Sequence, residues 1–262
     1  MTRTSWRTAF AASLLAAALG APAGAAGDAA VAGSTRCQVA HPTRAFGQEL
    51  PRARAAFREG RTLTVVALGS SSTIGVGASS PEASYPAVLQ AELARLLPGH
   101  DIKVVNQGVA GNSALQMFHR IDEDVLEEQP SLVIWQTGVT DAINDIGVDK
   151  FKRILRKGIA KLREAGIDVV LMDQQPLPRA ERYPLYQDYL AALREVAAET
   201  DTPVFRRFDV MTELLGDGRL RHDEVFAADS QHMVDGGYYC IGMALAWSIA
   251  EKLSPRAAEA VR

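Results

Sequence analysis

Residues 62–75 read TLTVVALGSSSTIG, an apolar run that leads directly into a loop of glycine and hydroxyl-bearing residues. The run at 62–68 is rich in β-branched residues and shows no alternation of polar and apolar positions. Strands of this kind are typical of a parallel sheet whose two faces are both covered by helices. The stretch therefore predicts a buried parallel strand followed by a loop at the carboxyl edge of its sheet.

The same pattern of an apolar strand followed by a helix repeats along the rest of the chain. After the strand at 62–68, further strands are predicted at 102–106, 131–136, 167–172 and 203–207. Helices are predicted at 84–97, 114–128, 151–165, 184–199 and 236–253. The alternation predicts one α/β domain at 61–262, with a central parallel sheet of about five strands between two layers of helices. Ligands bind such sheets at the carboxyl ends of the strands, so chemistry is expected on the loops there.

The first 26 residues have the three-part layout of a secretory signal peptide. Arg3 and Arg7 give a positive start, residues 9–19 are apolar, and residues 23–25 (AGA) fit a cleavage pattern. An uncleaved membrane anchor is the alternative, although the apolar run is short for crossing a bilayer. The pattern therefore predicts export and a periplasmic or secreted protein.

Composition narrows the class of protein. The chain has 262 residues, of which 47% are hydrophobic and 23% are charged, and its formal net charge is −3. The hydrophobic fraction is ample for a packed core and excludes a disordered chain. The near-neutral balance gives no case for a basic surface, so no nucleic-acid partner is expected. No later segment is long and apolar enough to cross a bilayer, so no membrane insertion is expected after signal cleavage.

Residues 27–60 show no clear periodicity and are predicted to form an irregular arm with one short helix at 45–57. The chain has only two cysteines, too few for a disulfide-built scaffold or a multi-cysteine zinc site. If the protein is exported, Cys37 in the arm and Cys240 in the last predicted helix could form a disulfide. Two unpaired thiols, with Cys240 as a small core residue, are the alternative.

The loop at 69–75, GSSSTIG, follows the first predicted strand. Its backbone N–H groups and hydroxyls could cradle a phosphate at a helix N-terminus, or one of its serines could be a nucleophile. A plain capping loop is the third interpretation, because serine and threonine are common at helix caps and turns. A nucleophilic serine also needs a base, and this requirement separates the interpretations.

His232 is the strongest candidate for that base. It ends the block Asp229-Ser230-Gln231-His232, just before the last predicted helix. A carboxylate three residues before a histidine can accept a hydrogen bond from its Nδ1 and so fix the tautomer and orientation of the ring. The other four histidines are expected to be surface or packing residues: His41, His100, His119 and His222.

Glycine-containing loops follow the second and third predicted strands. Residues 106–112 read NQGVAGN, in which the N–H of Gly111 could point at a reaction centre as a donor to an oxyanion. Residues 137–141 read TGVTD. Taken alone, each loop is also consistent with an ordinary turn before a helix.

Together, these blocks resemble those of the SGNH (GDSL-type) hydrolases, a family of esterases, lipases and carbohydrate deacetylases. The family's Gly-Asp-Ser block matches residues 69–73 and implies that Ser71 is the nucleophile. Its second block, Asn-x-x-x-x-Gly, matches residues 106–111 and implies that Gly111 donates to the oxyanion. The resemblance also implies a flavodoxin-like three-layer α/β/α sandwich and a reaction that needs no metal or organic cofactor.

The family's Asp-x-x-His block matches Asp229 and His232, which implies a catalytic triad with Ser71. The expected function is an exported serine ester hydrolase that acts through an acyl-enzyme on a small-molecule or glycan ester. Two alternatives stay open: an acyltransferase on an exported glycan that uses the same residues, and a non-catalytic, flavodoxin-like phosphate-binding module. The proline-containing loop at 174–183 is expected to overhang the site.

The sequence departs from the family pattern at two positions. Ser70 stands where the family has aspartate, at a position without a chemical role, and serine can still support the turn. Thr140 stands where the family's third block, Gly-x-Asn-Asp, has the asparagine that donates to the oxyanion. The expected oxyanion hole is Gly111 with Thr140 in a supporting role, or with Asn112 or Asn144 as a replacement donor. Loss of one such donor typically costs about 10²–10³ in turnover, so a slow or non-catalytic member is a further alternative.

Overall fold

The computed structural model describes residues 35–254, so the predicted signal peptide at 1–26 and the start of the arm lie outside the described residues. A five-stranded sheet stands at the centre, with the strand order β2-β1-β3-β4-β5. The strands are β1 Leu63–Gly69, β2 Ile102–Gly108, β3 Leu132–Gln136, β4 Asp168–Met172 and β5 Val204–Phe205. Every neighbouring pair is parallel, and helices cover the sheet, so the predicted α/β/α sandwich is confirmed.

Helices connect the strands and lie on both faces of the sheet. In chain order they are α1 His41–Arg44, α2 Pro51–Arg58, α3 Ser71–Ile74, α4 Tyr85–Leu96, α5 Ala114–His119, α6 Ile121–Asp124, α7 Val139–Ile143, α8 Val148–Glu164, α9 Tyr186–Glu199, α10 Arg207–Gly216, α11 His222–Val225 and α12 Asp235–Leu253. Short 3₁₀ helices lie at Pro81–Ala83, Leu126–Glu128 and Ala180–Arg182. Among residues 35–254, no helix combines the length and the apolar character that crossing a membrane requires.

Side chains of the same strands alternate between two buried clusters. On one face, Val65 and Ala67 of β1 pack with residues of α2, α4, α10 and α12. On the other face, Val66 and Leu68 pack with residues of α5, α8 and α9. All five residues of β3 are buried. Because the central strands β1 and β3 are covered on both sides, they need apolar residues at nearly every position, which explains the missing two-residue period.

The single helix predicted at 114–128 is wrong. The chain instead forms α5, α6 and a 3₁₀ turn, with a bend at Arg120. The Arg120 guanidinium donates hydrogen bonds to the backbone carbonyls of Gly69 and Gln107, both at 2.9 Å. These partners lie far away in the sequence, so tertiary contacts override the local helical pattern.

The sequence pattern also misses α10 and extends the last strand too far, to 203–207. In the structure β5 has only two residues, because Arg207 already begins α10. The buried Arg207 side chain donates from Nε to the carbonyl of Asp173 at 3.0 Å. Val210 and Leu214 of α10 are buried four residues apart, at helical spacing.

The described part of the arm packs against α12. Two helices, α1 and α2, stand in place of the single helix predicted at 45–57, and Pro51 begins α2, where its missing N–H leaves no hydrogen bond unmade. Ser248 Oγ of α12 donates to the carbonyl of Arg44 at 2.8 Å, and the buried Arg44 guanidinium pairs with Glu251 at 2.8 Å. The arm thus forms part of the helical layer on this face of the sheet.

Cys37 and Cys240 form a disulfide that joins the arm to α12, with a sequence separation of 203 residues. Of the two alternatives left open by the sequence, the structure has the paired one. The bond ties the arm to the longest helix of the described chain, which carries much of the core.

Reduction of this disulfide should lower the free energy of unfolding by about 2–5 kcal/mol, because the cross-link restricts the unfolded chain. Denaturant unfolding with and without dithiothreitol, followed by tryptophan fluorescence, measures the change. A variant with Cys37→Ser and Cys240→Ser should have the same free energy of unfolding as the reduced protein, and dithiothreitol should not change it. Identical unfolding midpoints for oxidised and reduced wild type would contradict the prediction.

Candidate active site

Ser71 is the first residue of α3, directly after the turn that ends β1. Gly69 makes this turn possible: a Cβ atom there would lie 1.9 Å from Thr73 Oγ1, so a side chain does not fit. Ser70 and Ser72 are both buried at 3% exposure, whereas Ser71 is partly exposed. Of the three consecutive serines, Ser71 is therefore the one that a substrate can reach.

The turn is fixed by Gln136, the buried last residue of β3. Its side-chain oxygen accepts hydrogen bonds from the N–H of Ser70 at 3.0 Å, the Ser70 hydroxyl at 3.2 Å and the Thr73 hydroxyl at 3.1 Å. Ser70 thus supports the turn through its hydroxyl, as expected for a residue in place of the family's aspartate. Gln136 is not among the predicted residues, and its only sequence signal is a polar end to the apolar strand LVIWQ.

Asp229 and His232 lie on the loop before α12 and are hydrogen bonded. His232 Nδ1 lies 2.6 Å from Asp229 Oδ2. Asp229 Oδ1 accepts from the backbone N–H groups of Gln231 and His232, both at 2.9 Å. The loop bends through Ser230, which has a positive φ of 58°. The spacing of three residues therefore gives the contact that the sequence predicts.

These contacts set the charge on Asp229. Burial acts to raise the pKa of Asp229, but the hydrogen bonds from the His232 ring and from two backbone N–H groups outweigh it, so its pKa lies below the usual value. The carboxylate is consequently ionised at neutral pH and can orient the imidazole. The other four histidines make ion-pair or ring contacts, His41 with Glu251, His100 with Phe57, His119 with Phe118 and His222 with Phe226.

The loop at 226–234, called the His232 loop below, packs against the segment that follows α3. A Cβ atom at Gly77 would lie 2.3 Å from the carbonyl oxygen of Met233 and 3.4 Å from His232 Cβ. Within the described part of the chain, no hydrogen bond joins the Ser71 hydroxyl to His232. In enzymes without bound substrate, this bond is often long and tightens only when the substrate binds.

The loop after β2, which carries Gly111, is tied to the nucleophile turn. Asn106 Nδ2 donates to the carbonyl of Thr73 at 2.9 Å. Arg120 donates to the carbonyl of Gly69, as described above, and its Nε donates to Asn112 Oδ1 at 3.0 Å. Gly111 has a φ of 75° and nothing stands within 4 Å of where its Cβ would be, so this backbone is open. Arg120 was not predicted as a site residue, because its partners are distant backbone carbonyls.

The loop after β3 is connected to the loop after β2 through Asp141. Its carboxylate is fully buried and accepts from the N–H of Ala114 at 2.9 Å, the Thr137 hydroxyl at 3.1 Å and the N–H of Gly138 at 3.1 Å. Burial raises the pKa of Asp141 in spite of these hydrogen bonds. Asp141 thus holds the loops after β2 and β3 together.

Thr140 lies in the first turn of α7, next to Asp141, and is partly exposed. Its hydroxyl has no hydrogen-bond partner among residues 35–254, so it is available to a ligand. Asn112 already accepts from Arg120 through its side-chain oxygen, and Asn144 is exposed at the end of α7. Of the three alternatives for the missing asparagine, Thr140 is the one that occupies the family position.

The loop at 174–183 lies beside Asp229. Together with the His232 loop it encloses a small pocket, lined by Leu177, Arg179, Arg182, Tyr183, Asp229, Ser230 and Gln231. The loop predicted to overhang the site therefore borders the acid of the proposed triad.

Comparison with known proteins places the chain in a family. Residues 36–255 match the model of the non-GDSL lipase-like family. The chain is 29% identical over 118 residues to the esterase TesA of Pseudomonas aeruginosa, a match that covers 45% of this chain and 56% of TesA. It is 22% identical over 182 residues to the acetylxylan esterase of Geobacillus stearothermophilus, which covers 63% of this chain and 80% of that enzyme.

Among solved structures, the lipase/acylhydrolase of Enterococcus faecalis matches with a TM-score of 0.63 at 24% identity, over 73% of this chain and 97% of that one. At this sequence identity, the structural match supports the fold alone. The family match covers most of the chain, and both sequence relatives are esterases by name. The chain therefore belongs to the non-GDSL lipase-like family, and the expectation of an SGNH (GDSL-type) hydrolase acting on ester bonds is confirmed.

Proposed function

We propose that this protein is an exported serine ester hydrolase in which Ser71, His232 and Asp229 form the catalytic triad. The observation that carries the proposal is the 2.6 Å hydrogen bond between His232 Nδ1 and Asp229 Oδ2, on a loop that packs against the segment after α3. A carboxylate at Nδ1 holds the ring proton there, so Nε2 is free to accept a proton from a serine.

The reaction proceeds through an acyl-enzyme. His232 Nε2 takes the hydroxyl proton as Ser71 Oγ attacks the ester carbonyl carbon, and Asp229 stabilises the imidazolium that forms. The tetrahedral intermediate collapses, the bond to the alcohol breaks, and His232 gives its proton to the leaving alcohol. His232 then deprotonates a water molecule that attacks the acyl carbon. The bond from that carbon to Ser71 Oγ breaks, His232 returns the proton to Ser71 Oγ, and the carboxylic acid leaves.

The oxyanion is held by the N–H groups of Ser71 and Gly111, with the Thr140 hydroxyl as a supporting donor. These residues follow the carboxyl ends of β1, β2 and β3, which are neighbours in the sheet. The contacts of Arg120 and Asp141 support this role, because they join the three loops before any substrate binds.

Removal of the Thr140 hydroxyl should weaken this oxyanion hole. Thr140→Val keeps the shape of the side chain and should lower kcat by about 10²-fold with little change in KM, the effect typical of one lost donor. Thr140→Asn, which restores the family residue, should match or exceed the wild-type kcat. Steady-state kinetics on a short acyl ester measure both. Asn144→Ala is the control, and the assignment of Thr140 fails if that variant loses more activity than Thr140→Val.

The proposed substrate is a short acyl ester of a glycan or of a small alcohol. The acetylxylan esterase among the relatives supports an acetylated glycan, because the match covers 80% of that enzyme. Hydrolysis of p-nitrophenyl acetate, butyrate and octanoate, and of acetylated xylan, tests the proposal. Free acid should be released from at least the acetyl esters. Absence of activity on the whole series would contradict it, and transfer of the acyl group to an added acceptor sugar would favour the acyltransferase.

The hydrogen bonds of the loop at 69–75 argue against a phosphate-binding module. Ser70 and Thr73 donate to Gln136, and Ser72 donates to Gln175. Three of the four hydroxyls in this loop are thus engaged by the protein itself. A phosphate cradle that used these hydroxyls would need them to be free.

We also infer that residues 1–26 direct export and are removed, with an arm at 27–60 preceding the hydrolase domain at 61–262. The signal-like layout of the first residues supports export. The Cys37–Cys240 disulfide adds support, since such bonds persist in oxidising compartments. N-terminal sequencing of protein recovered from the periplasm or medium of the producing cells tests the cleavage site.

A further inference from the structure

Three buried polar residues, Asp173, Gln174 and Gln175, directly follow β4. Buried polar side chains need hydrogen-bond partners, so each member of this row should have a specific contact. Asp173 pairs with Arg194 at 2.6 Å, and Gln174 Nε2 donates to the carbonyl of Tyr186 at 3.1 Å. Gln175 differs from both, because its side-chain hydrogen bonds reach α3 and the His232 loop.

Gln175 spans the space between α3 and the His232 loop. Ser72 Oγ donates to Gln175 Oε1 at 3.2 Å, and Gln175 Nε2 donates to the carbonyl of Gln231 at 2.6 Å. The Tyr186 hydroxyl donates to the backbone carbonyl of Gln175 at 2.6 Å and holds the residue in place. Gln175 is 1% exposed. Both ends of its amide are in use, so one orientation alone satisfies the two side-chain contacts.

The two residues that Gln175 joins are chain neighbours of the proposed nucleophile and base. Ser72 follows Ser71, and Gln231 precedes His232. The described residues contain no direct hydrogen bond between the Ser71 hydroxyl and His232. The bridge through Gln175 therefore connects the two groups in a way that does not depend on a bound substrate.

We propose that Gln175 is a positioning residue that fixes the separation of Ser71 and His232, a role that rests on the triad proposed above. Attack and proton transfer depend steeply on distance, and a displacement of about 1 Å can cost about 10²-fold in rate. Gln175 acts indirectly: it holds Ser72 and Gln231 in place, and these residues are covalently bonded to Ser71 and His232. The sequence shows no signal for this role, because a glutamine in a loop has no motif around it.

The decisive variant is Gln175→Met, which keeps the side-chain length and removes both hydrogen bonds. Its kcat per active site should fall by about 10- to 100-fold, while KM stays within about threefold of wild type. The acid-side midpoint of its pH profile should stay at the wild-type value, because the Asp229–His232 hydrogen bond is untouched. Ser72→Ala, which removes the longer of the two bonds, should give a smaller loss.

Gln174→Met is the matched control. Gln174 is as buried as Gln175, lies next to it and also donates to a backbone carbonyl, but it contacts neither Ser72 nor Gln231. This variant should lose melting temperature to a similar extent and keep kcat per active site within about threefold. An equal loss of kcat in the two variants would overturn the positioning role.

Titration of active sites with a fluorophosphonate separates the possible failures. It counts the chains with a reactive serine, so a folding defect lowers the count and a positioning defect lowers the rate per counted site. If Gln175→Met titrates fully and turns over at the wild-type rate, Gln175 has no positioning role and the triad still stands. If the wild type takes no label at Ser71, the triad fails and the inference fails with it.

Discussion

Ser71→Ala should remove nearly all ester hydrolysis, lowering kcat by about 10⁶-fold, because no other group of the proposed triad can form the acyl-enzyme. The fold should survive the change. Ser71 is partly exposed, and its hydroxyl makes no hydrogen bond within residues 35–254. Initial rates on p-nitrophenyl acetate measure the loss, and circular dichroism and the melting temperature check the fold.

Ser70→Ala is the matched control for this variant, since it alters the preceding residue of the same turn. It removes the Ser70 hydroxyl bond to Gln136 Oε1, but the backbone N–H of residue 70 still donates to that oxygen. One such hydrogen bond is worth about 1 kcal/mol, so kcat should stay within about tenfold of wild type. Near-wild-type turnover by Ser71→Ala, or a greater loss in Ser70→Ala, would contradict the assignment of the nucleophile.

Asp229→Asn should lower kcat by about 10⁴-fold, because an asparagine can donate to His232 Nδ1 and so favour the wrong tautomer of the ring. The loop should keep its shape. Asp229 Oδ1 accepts from the N–H groups of Gln231 and His232, and an asparagine oxygen can accept the same two bonds. The expected result is therefore a folded protein with a normal KM and very slow turnover, measured by steady-state kinetics.

Asp223→Asn provides the control, since it makes the same chemical change at an exposed aspartate. Asp223 pairs with Arg221 and has no contact with His232. It should keep the wild-type kcat. Equal activity of Asp229→Asn and wild type would show that His232 works without this carboxylate, and the triad would then be wrong.

The lowered pKa of Asp229 fixes the sign of the pH effect on its contacts. A carboxyl whose folded-state pKa lies below its unfolded value of about 3.9 adds stability above that value, and this stability is lost only as the pH falls through the folded-state pKa. The Asp229–His232 contact should therefore persist at mildly acidic pH. Carboxyl NMR signals followed from neutral pH to pH 5 should show Asp229 still ionised, and protonation of Asp229 in this range would contradict the prediction.

The fold was predictable because burial on both faces leaves a direct trace in the sequence. Continuous apolar strands such as LVIWQ can be read without knowing their neighbours, and the strand at 62–68 differs from β1 by one residue at each end. The bend at Arg120 left no such trace, because its cause is a pair of carbonyls on β1 and β2. The helix α10 did leave a signal in the spacing of Val210 and Leu214, which the preceding strand pattern obscured.

The candidate site was predictable where its contacts are local. Asp229 and His232 are three residues apart, so their hydrogen bond is encoded in one short block. The roles of Gln136 and Gln175 could not be predicted, because each contacts residues more than fifty positions away in the sequence. The disulfide stayed open for the same reason, since only the fold brings Cys37 next to Cys240.

The most direct test of the account is to find where a fluorophosphonate reacts in the folded protein. The reagent needs a serine activated by a neighbouring base, and the chain offers three consecutive serines at 70–72 with different environments. Peptide mass spectrometry after labelling should place one adduct per chain on Ser71, with none in Ser71→Ala and far slower labelling in His232→Ala. An adduct on Ser70 or Ser72, or a folded protein that takes no label, would contradict the proposed mechanism.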